Sequence, residues 1–187
     1  MKRCIPLVLI VVATFLGGCS TVTDWISPAE TEPPAELQDI VSRVKAETLW
    51  SVDTGAGADD KRLRLAPYYL GGRLYVADAD GKVAAVDAAT GRVLWSVDLQ
   101  VPISGGPGAG EGLVVVGTLD AEAIALSQAD GSLKWRAAVS SEVLARPAIG
   151  GERVVIRTID GKVQGLDATT GEERWRYERE IPVLTLR

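Results

Sequence analysis

Trp95, Trp135 and Trp175 recur at a fixed step of 40 residues, and Trp50 stands 45 residues ahead of the first. Pro67, Pro107 and Pro147 keep the same step. A period of this length marks a stack or ring of small similar units, because one such unit cannot bury its own apolar face. Between the markers lie Gly72-Arg73-Leu74-Tyr75-Val76-Ala77-Asp78, Gly112-Leu113-Val114-Val115-Val116-Gly117 and Glu152-Arg153-Val154-Val155-Ile156-Arg157. Their β-branched content predicts strands. Asp80-Gly81-Lys82 and Asp160-Gly161-Lys162 predict two-residue hairpin turns, where glycine accepts a positive φ. The middle copy has Asp120-Ala121-Glu122 instead, which predicts a different turn.

An eleven-residue signature follows. It reads Ala85-Val86-Asp87-Ala88-Ala89-Thr90-Gly91-Arg92-Val93-Leu94-Trp95, and copies end at Trp135 and Trp175. Asp87, Ser127 and Asp167 can cap backbone amides where a strand ends, and Gly91, Gly131 and Gly171 can take the left-handed corner. The tryptophan then projects from the outermost strand toward the neighbouring unit. Burying its ~200 Å² stabilises by about 5 kcal/mol gross. Four short strands per 40 residues predict an all-β chain folded as a β-propeller. The signature resembles the tryptophan-docking motif of PQQ-like propellers, from about Ala46 onward.

Three complete blades fit between Leu65 and Tyr177, whereas propellers use four to eight. The expectation is therefore an incomplete ring and a truncated sequence. The strand around Leu49-Trp50-Ser51-Val52 has no blade of its own and matches the clasp that closes a last blade. Gly105-Gly106-Pro107-Gly108-Ala109-Gly110-Glu111-Gly112 fits no phosphate-loop motif. It is expected to form a structural loop.

Met1-Lys2-Arg3 followed by an apolar run from Ile5 to Leu16 reads as a signal peptide over residues 1–18. Twelve helical residues span ~18 Å, short of the ~30 Å hydrocarbon core. Leu16-Gly17-Gly18-Cys19 resembles a bacterial lipobox, which implies a covalent lipid on Cys19. The alternative is an ordinary secretory signal with an incidental cysteine. Ser20, by the same resemblance, implies the outer rather than the inner membrane. Residues 19–45, with Pro28, Pro33 and Pro34, read as a polar tether. Leu37, Ile40, Val41 and Val44 allow a helical turn or two within it. Residues 46–187 are assigned to the partial propeller.

Composition narrows the chemistry. Histidine is absent, and the only other cysteine is Cys4, in the leader. No Cys/His metal centre and no histidine-activated nucleophile can be built from these residues. The net charge is −5, and −7 once Lys2 and Arg3 leave with the signal peptide. An acidic chain argues against nucleic acid. No catalytic residue and no metal ligand are assigned. The competing enzymatic reading is a fragment of a PQQ-dependent quinoprotein dehydrogenase, with Asp87 and Asp167 as candidate carboxylates; both sit inside the turn signature, where capping is the simpler role.

The chain as a whole resembles the propeller lipoproteins of the bacterial outer-membrane barrel-assembly machinery. The lipobox, the signature copies, Leu144-Ala145-Arg146-Pro147 and Ile181-Pro182-Val183-Leu184-Thr185-Leu186-Arg187 carry the resemblance. It implies a non-enzymatic scaffold without cofactor, lipid-anchored at Cys19 in the outer membrane and facing the periplasm. By it, Leu184, Leu186 and Arg187 dock on a POTRA domain of BamA, the barrel-forming subunit. Unfolded outer-membrane proteins are a further implied partner. Composition alone reads the same alternating leucines as the first strand of another blade. The run Arg174 to Glu180 alternates in charge and reads as a solvated outer strand.

Overall fold

A computed structural model describes residues 35–37, 44–58 and 61–178. The chain divides into two units, Met1–Ala46 and Glu47–Arg187. In the second, twelve strands make three four-stranded antiparallel meanders, and the described residues contain no helix. The first blade holds β1 (Tyr68–Leu70), β2 (Arg73–Ala77), β3 (Lys82–Asp87) and β4 (Val93–Asp98). The second holds β5 (Ile103–Gly110), β6 (Leu113–Thr118), β7 (Glu122–Ser127) and β8 (Leu133–Ala138). The third holds β9 (Ala148–Gly150), β10 (Arg153–Arg157), β11 (Val163–Asp167) and β12 (Glu173–Tyr177). The sheets form an open arc, with β5 touching β1 and β2 on one side and β9 on the other. The propeller architecture expected from the period is the one found.

The middle blade explains why its strands lack polar alternation. Leu113 and Val115 of β6 join Val154, Ile156 and Leu166 in one core, while Val114 and Val116 join Tyr75 and Val83 in another. Successive side chains point to opposite faces, so a sheet sandwiched between two others needs apolar residues at every position. All of β6 is buried.

Three sequence expectations need correction. The Gly105–Gly112 cluster is not a loop: Ile103–Gly110 is the longest strand, β5. Its glycines are there because the segment before β9 runs against the β5 backbone. A Cβ on Gly105 would lie 2.5 Å from the Val143 carbonyl oxygen and 2.8 Å from that of Ala145. The turns after β2 and β10 are not two-residue hairpins. The Asp78 amide bonds the Lys82 carbonyl at 2.9 Å and the Thr158 amide bonds that of Lys162 at 3.1 Å, which leaves three residues in each loop. One carboxylate oxygen of Asp78 accepts the amides of Asp80, Gly81 and Lys82, so a side chain supplies the acceptor that a tighter turn would draw from the backbone. Nor does the middle loop take a different conformation. Ala121 adopts φ +58° where Gly81 and Gly161 are also positive. Its carbonyl accepts the Val139 amide as that of Gly81 accepts the Leu99 amide.

Candidate interaction surface

The three expected docking tryptophans do not share one environment. Trp95, on β4, donates from Nε1 to the Gln128 carbonyl at 3.0 Å, and Trp135, on β8, to that of Ala168 at 2.8 Å. Each acceptor lies 33 residues on, in the signature of the following blade. The indole edges fill space that a side chain would need: a Cβ on Gly131 would stand 2.7 Å from Cε3 of Trp95, and one on Gly171 2.7 Å from Cε3 of Trp135. Those glycines sit at φ +75° and +77°, so space and backbone both require them. Trp175, on β12, differs. It is 43% exposed, its ring lies over Gly165 of its own sheet, and it makes no cross-blade hydrogen bond among the described residues.

Trp50 fills the remaining dock. Its Nε1 donates to the Ala88 carbonyl at 3.1 Å, and a Cβ on Gly91 would stand 2.7 Å from its ring. Residues 49–52 form no strand of their own. A segment without a sheet therefore lies against the first blade as β4 lies against the second.

The signature acids act locally. Asp87 accepts the Ala89 and Thr90 amides and the Thr90 hydroxyl, the last at 2.7 Å. The hydroxyl and amide of Thr90 hold its carboxyl below the ordinary range. Asp167 accepts the Thr169 and Thr170 amides, and these, with Arg174, lower it likewise. Calcium requires six to eight oxygens around one point. Among the described residues no three His, Cys, Asp or Glu side chains gather into such a group. These residues do not fit a calcium-held quinone.

Cys19, Leu184, Leu186 and Arg187 lie outside the described residues, as does most of the expected helical stretch around Ile40. The repeat nevertheless supplies a described counterpart. A 40-residue step carries Leu184 onto Leu144, Leu186 onto Arg146 and Arg187 onto Pro147. That counterpart is the corner leading into β9. Leu144 and Arg146 project into solvent there, while Val143 and Pro147 are buried. The Arg146 guanidinium donates to the Ala66 carbonyl at 3.3 Å and lies 5.3 Å from the centre of the Tyr68 ring. Thus one corner per repeat presents an apolar and a long polar side chain on a fixed backbone. Sequence reading singled out this segment but not Asp78, the buried organiser of the first loop; the signal was there, since Asp78, Thr118 and Thr158 repeat a hydrogen-bonding residue every 40 positions.

The sequence model of the family described as outer membrane protein assembly factor BamB matches residues 38–107 and 79–187. The BamB of Pseudomonas aeruginosa is 45% identical over 111 residues, which are 59% of this chain and 28% of that protein. The crystal structure of BamB from Moraxella catarrhalis superposes with a TM-score of 0.57 at 28% identity, over 64% of this chain and 36% of that one. A quinohemoprotein alcohol dehydrogenase from Comamonas testosteroni superposes with a TM-score of 0.50 at 25% identity, over 59% of this chain and 20% of its own. The chain spans less than a third of the length of the curated relatives it matches.

Proposed function

The chain belongs to the outer membrane protein assembly factor BamB family, and from that membership we propose that it is a non-enzymatic scaffold of outer-membrane barrel assembly. The family match from residue 38 to 187 is the observation that carries this reading. A lipid on Cys19 confines the propeller to the periplasmic face of the outer membrane. Three acyl chains, at ~0.8 kcal/mol per buried CH₂, make that anchor effectively permanent. Confinement raises the effective concentration of the propeller near BamA, so a small contact suffices. Leu184 and Leu186 supply apolar anchors to a POTRA domain and Arg187 a charged one, a composition typical of interface hot spots. The exposed Leu144–Arg146 corner supports the assignment, because it shows what the repeat does with this position. The propeller then holds the periplasmic domains of BamA in place and offers blade edges to incoming unfolded barrel strands.

Pull-down of BamA by the full-length protein tests the dock. Replacing Leu184, Leu186 and Arg187 together by Ala is expected to abolish recovery, and undiminished recovery overturns the assignment. Cys19→Ser is expected to release the protein from the membrane fraction and to remove the acyl mass from the mature N-terminus.

A further inference from the structure

A cleft of about 570 Å³ opens between the segment leading into β1 and the segment leading into β9. Three guanidinium groups line it, those of Arg64, Arg146 and Arg157, and no acidic side chain does. The chain around it carries a net charge of −5, so the cleft reverses the sign of the molecule. Arg146 is held across the cleft by the Ala66 carbonyl and the Tyr68 ring. Arg64 and Arg157 are exposed and have no carboxylate partner among the described residues. Beside them Leu144 is 43% exposed and Ile159 58%.

We propose that this cleft is a docking site for an extended, acidic polypeptide segment of a partner protein, with carboxylates on Arg64, Arg146 and Arg157 and an apolar side chain between Leu144 and Ile159. Three like charges brought together without counter-charge repel one another, and a carboxylate-bearing ligand removes that repulsion while making charge-assisted hydrogen bonds. The volume falls within the roughly 300–1,000 Å³ of small-ligand sites, enough for a few extended residues and too small for a folded domain. Nucleic acid would bring its charge against an acidic surface and would leave the two apolar side chains unused. The site is independent of the Leu184–Arg187 dock, since none of its residues belongs to that segment.

Fluorescence anisotropy on the full chain tests the proposal, with a labelled peptide of alternating Glu and Leu at about 0.05 M salt. Binding is expected, weakening about fivefold in Arg157→Gln and more in the Arg64→Gln, Arg157→Gln double variant. The matching Gln/Leu and all-Glu peptides are expected to bind more weakly than Glu/Leu. Both arginines are exposed and unpartnered, so unchanged circular dichroism and melting will show that the variants fold. Four results overturn the idea: no binding of the Glu/Leu peptide, equal binding by its Gln/Leu counterpart, affinity unaffected by both substitutions, or equal binding of oligothymidylate through the same arginines.

Discussion

Removing one docked indole measures how strongly neighbouring blades hold each other. Trp135 is 7% exposed, and burial of its ~200 Å² corresponds to about 5 kcal/mol. Its bond to the Ala168 carbonyl adds about 1 kcal/mol. Partial collapse of the cavity returns some of this, so Trp135→Ala is expected to cost about 4 kcal/mol. Trp135→Phe keeps most of the apolar contact and loses the hydrogen bond, for about 2 kcal/mol. Trp175 provides the internal control, being 43% exposed and without a cross-blade bond among the described residues. Its replacement by Ala is expected to cost about 1 kcal/mol. Urea unfolding of the full chain, followed by far-ultraviolet circular dichroism, gives all three values from shifts in midpoint. Total stabilities of 5–15 kcal/mol are typical, so the Phe variant keeps the series measurable if the Ala variant unfolds outright. Equal losses at Trp135 and Trp175 would refute the docking argument.

Ala121 holds φ +58°, a conformation that costs a non-glycine residue about 1 kcal/mol, so Ala121→Gly is expected to raise the urea midpoint; an unchanged or lower midpoint would show that the loop is not strained. Asp78 is buried and accepts three amides of its own loop plus that of Ala56, so Asp78→Ala is expected to destabilise by about 3 kcal/mol and Asp78→Asn by less, read by the same unfolding curves. The Ser132 amide, then its hydroxyl, lower the Asp130 carboxyl from 3.8 to about 2. A depressed folded-state value means that the stabilisation is complete above about pH 4 and is lost as pH falls through 2. Carbon-detected titration should place the Asp130 midpoint near 2 and move it upward in Ser132→Ala; a midpoint near 3.8 in the unsubstituted chain would contradict the geometry.

What the sequence made legible is what the repeat writes into side chains. The tryptophan step, the capping acids and the left-handed glycines all report contacts within 40 residues, and each was readable as a residue type at a fixed place. β5 was not readable, because its reason is the neighbouring chain at Val143 to Pro147, and glycine carries no side-chain period from which a strand can be inferred. The middle loop misled for the opposite reason: Ala121 lacks the expected residue type, yet the bond from the Val139 amide fixes the same shape that Gly81 and Gly161 adopt. The partner-binding assignment at Leu184, Leu186 and Arg187 came from resemblance, since alternating leucines also describe any buried strand.

Trp50 shows which part of the repeat is the functional unit of assembly. Its segment has no sheet behind it, yet the indole meets the Ala88 carbonyl and Gly91 as Trp95 and Trp135 meet their own acceptors and glycines. The five extra residues between Trp50 and Trp95 are absorbed before the dock, which keeps its geometry. The lock therefore depends on the indole, the carbonyl and the missing Cβ rather than on a complete blade supplying the tryptophan. A 40-residue signature of this kind encodes the joint between units, and the units follow because four strands are the shortest path from one joint to the next.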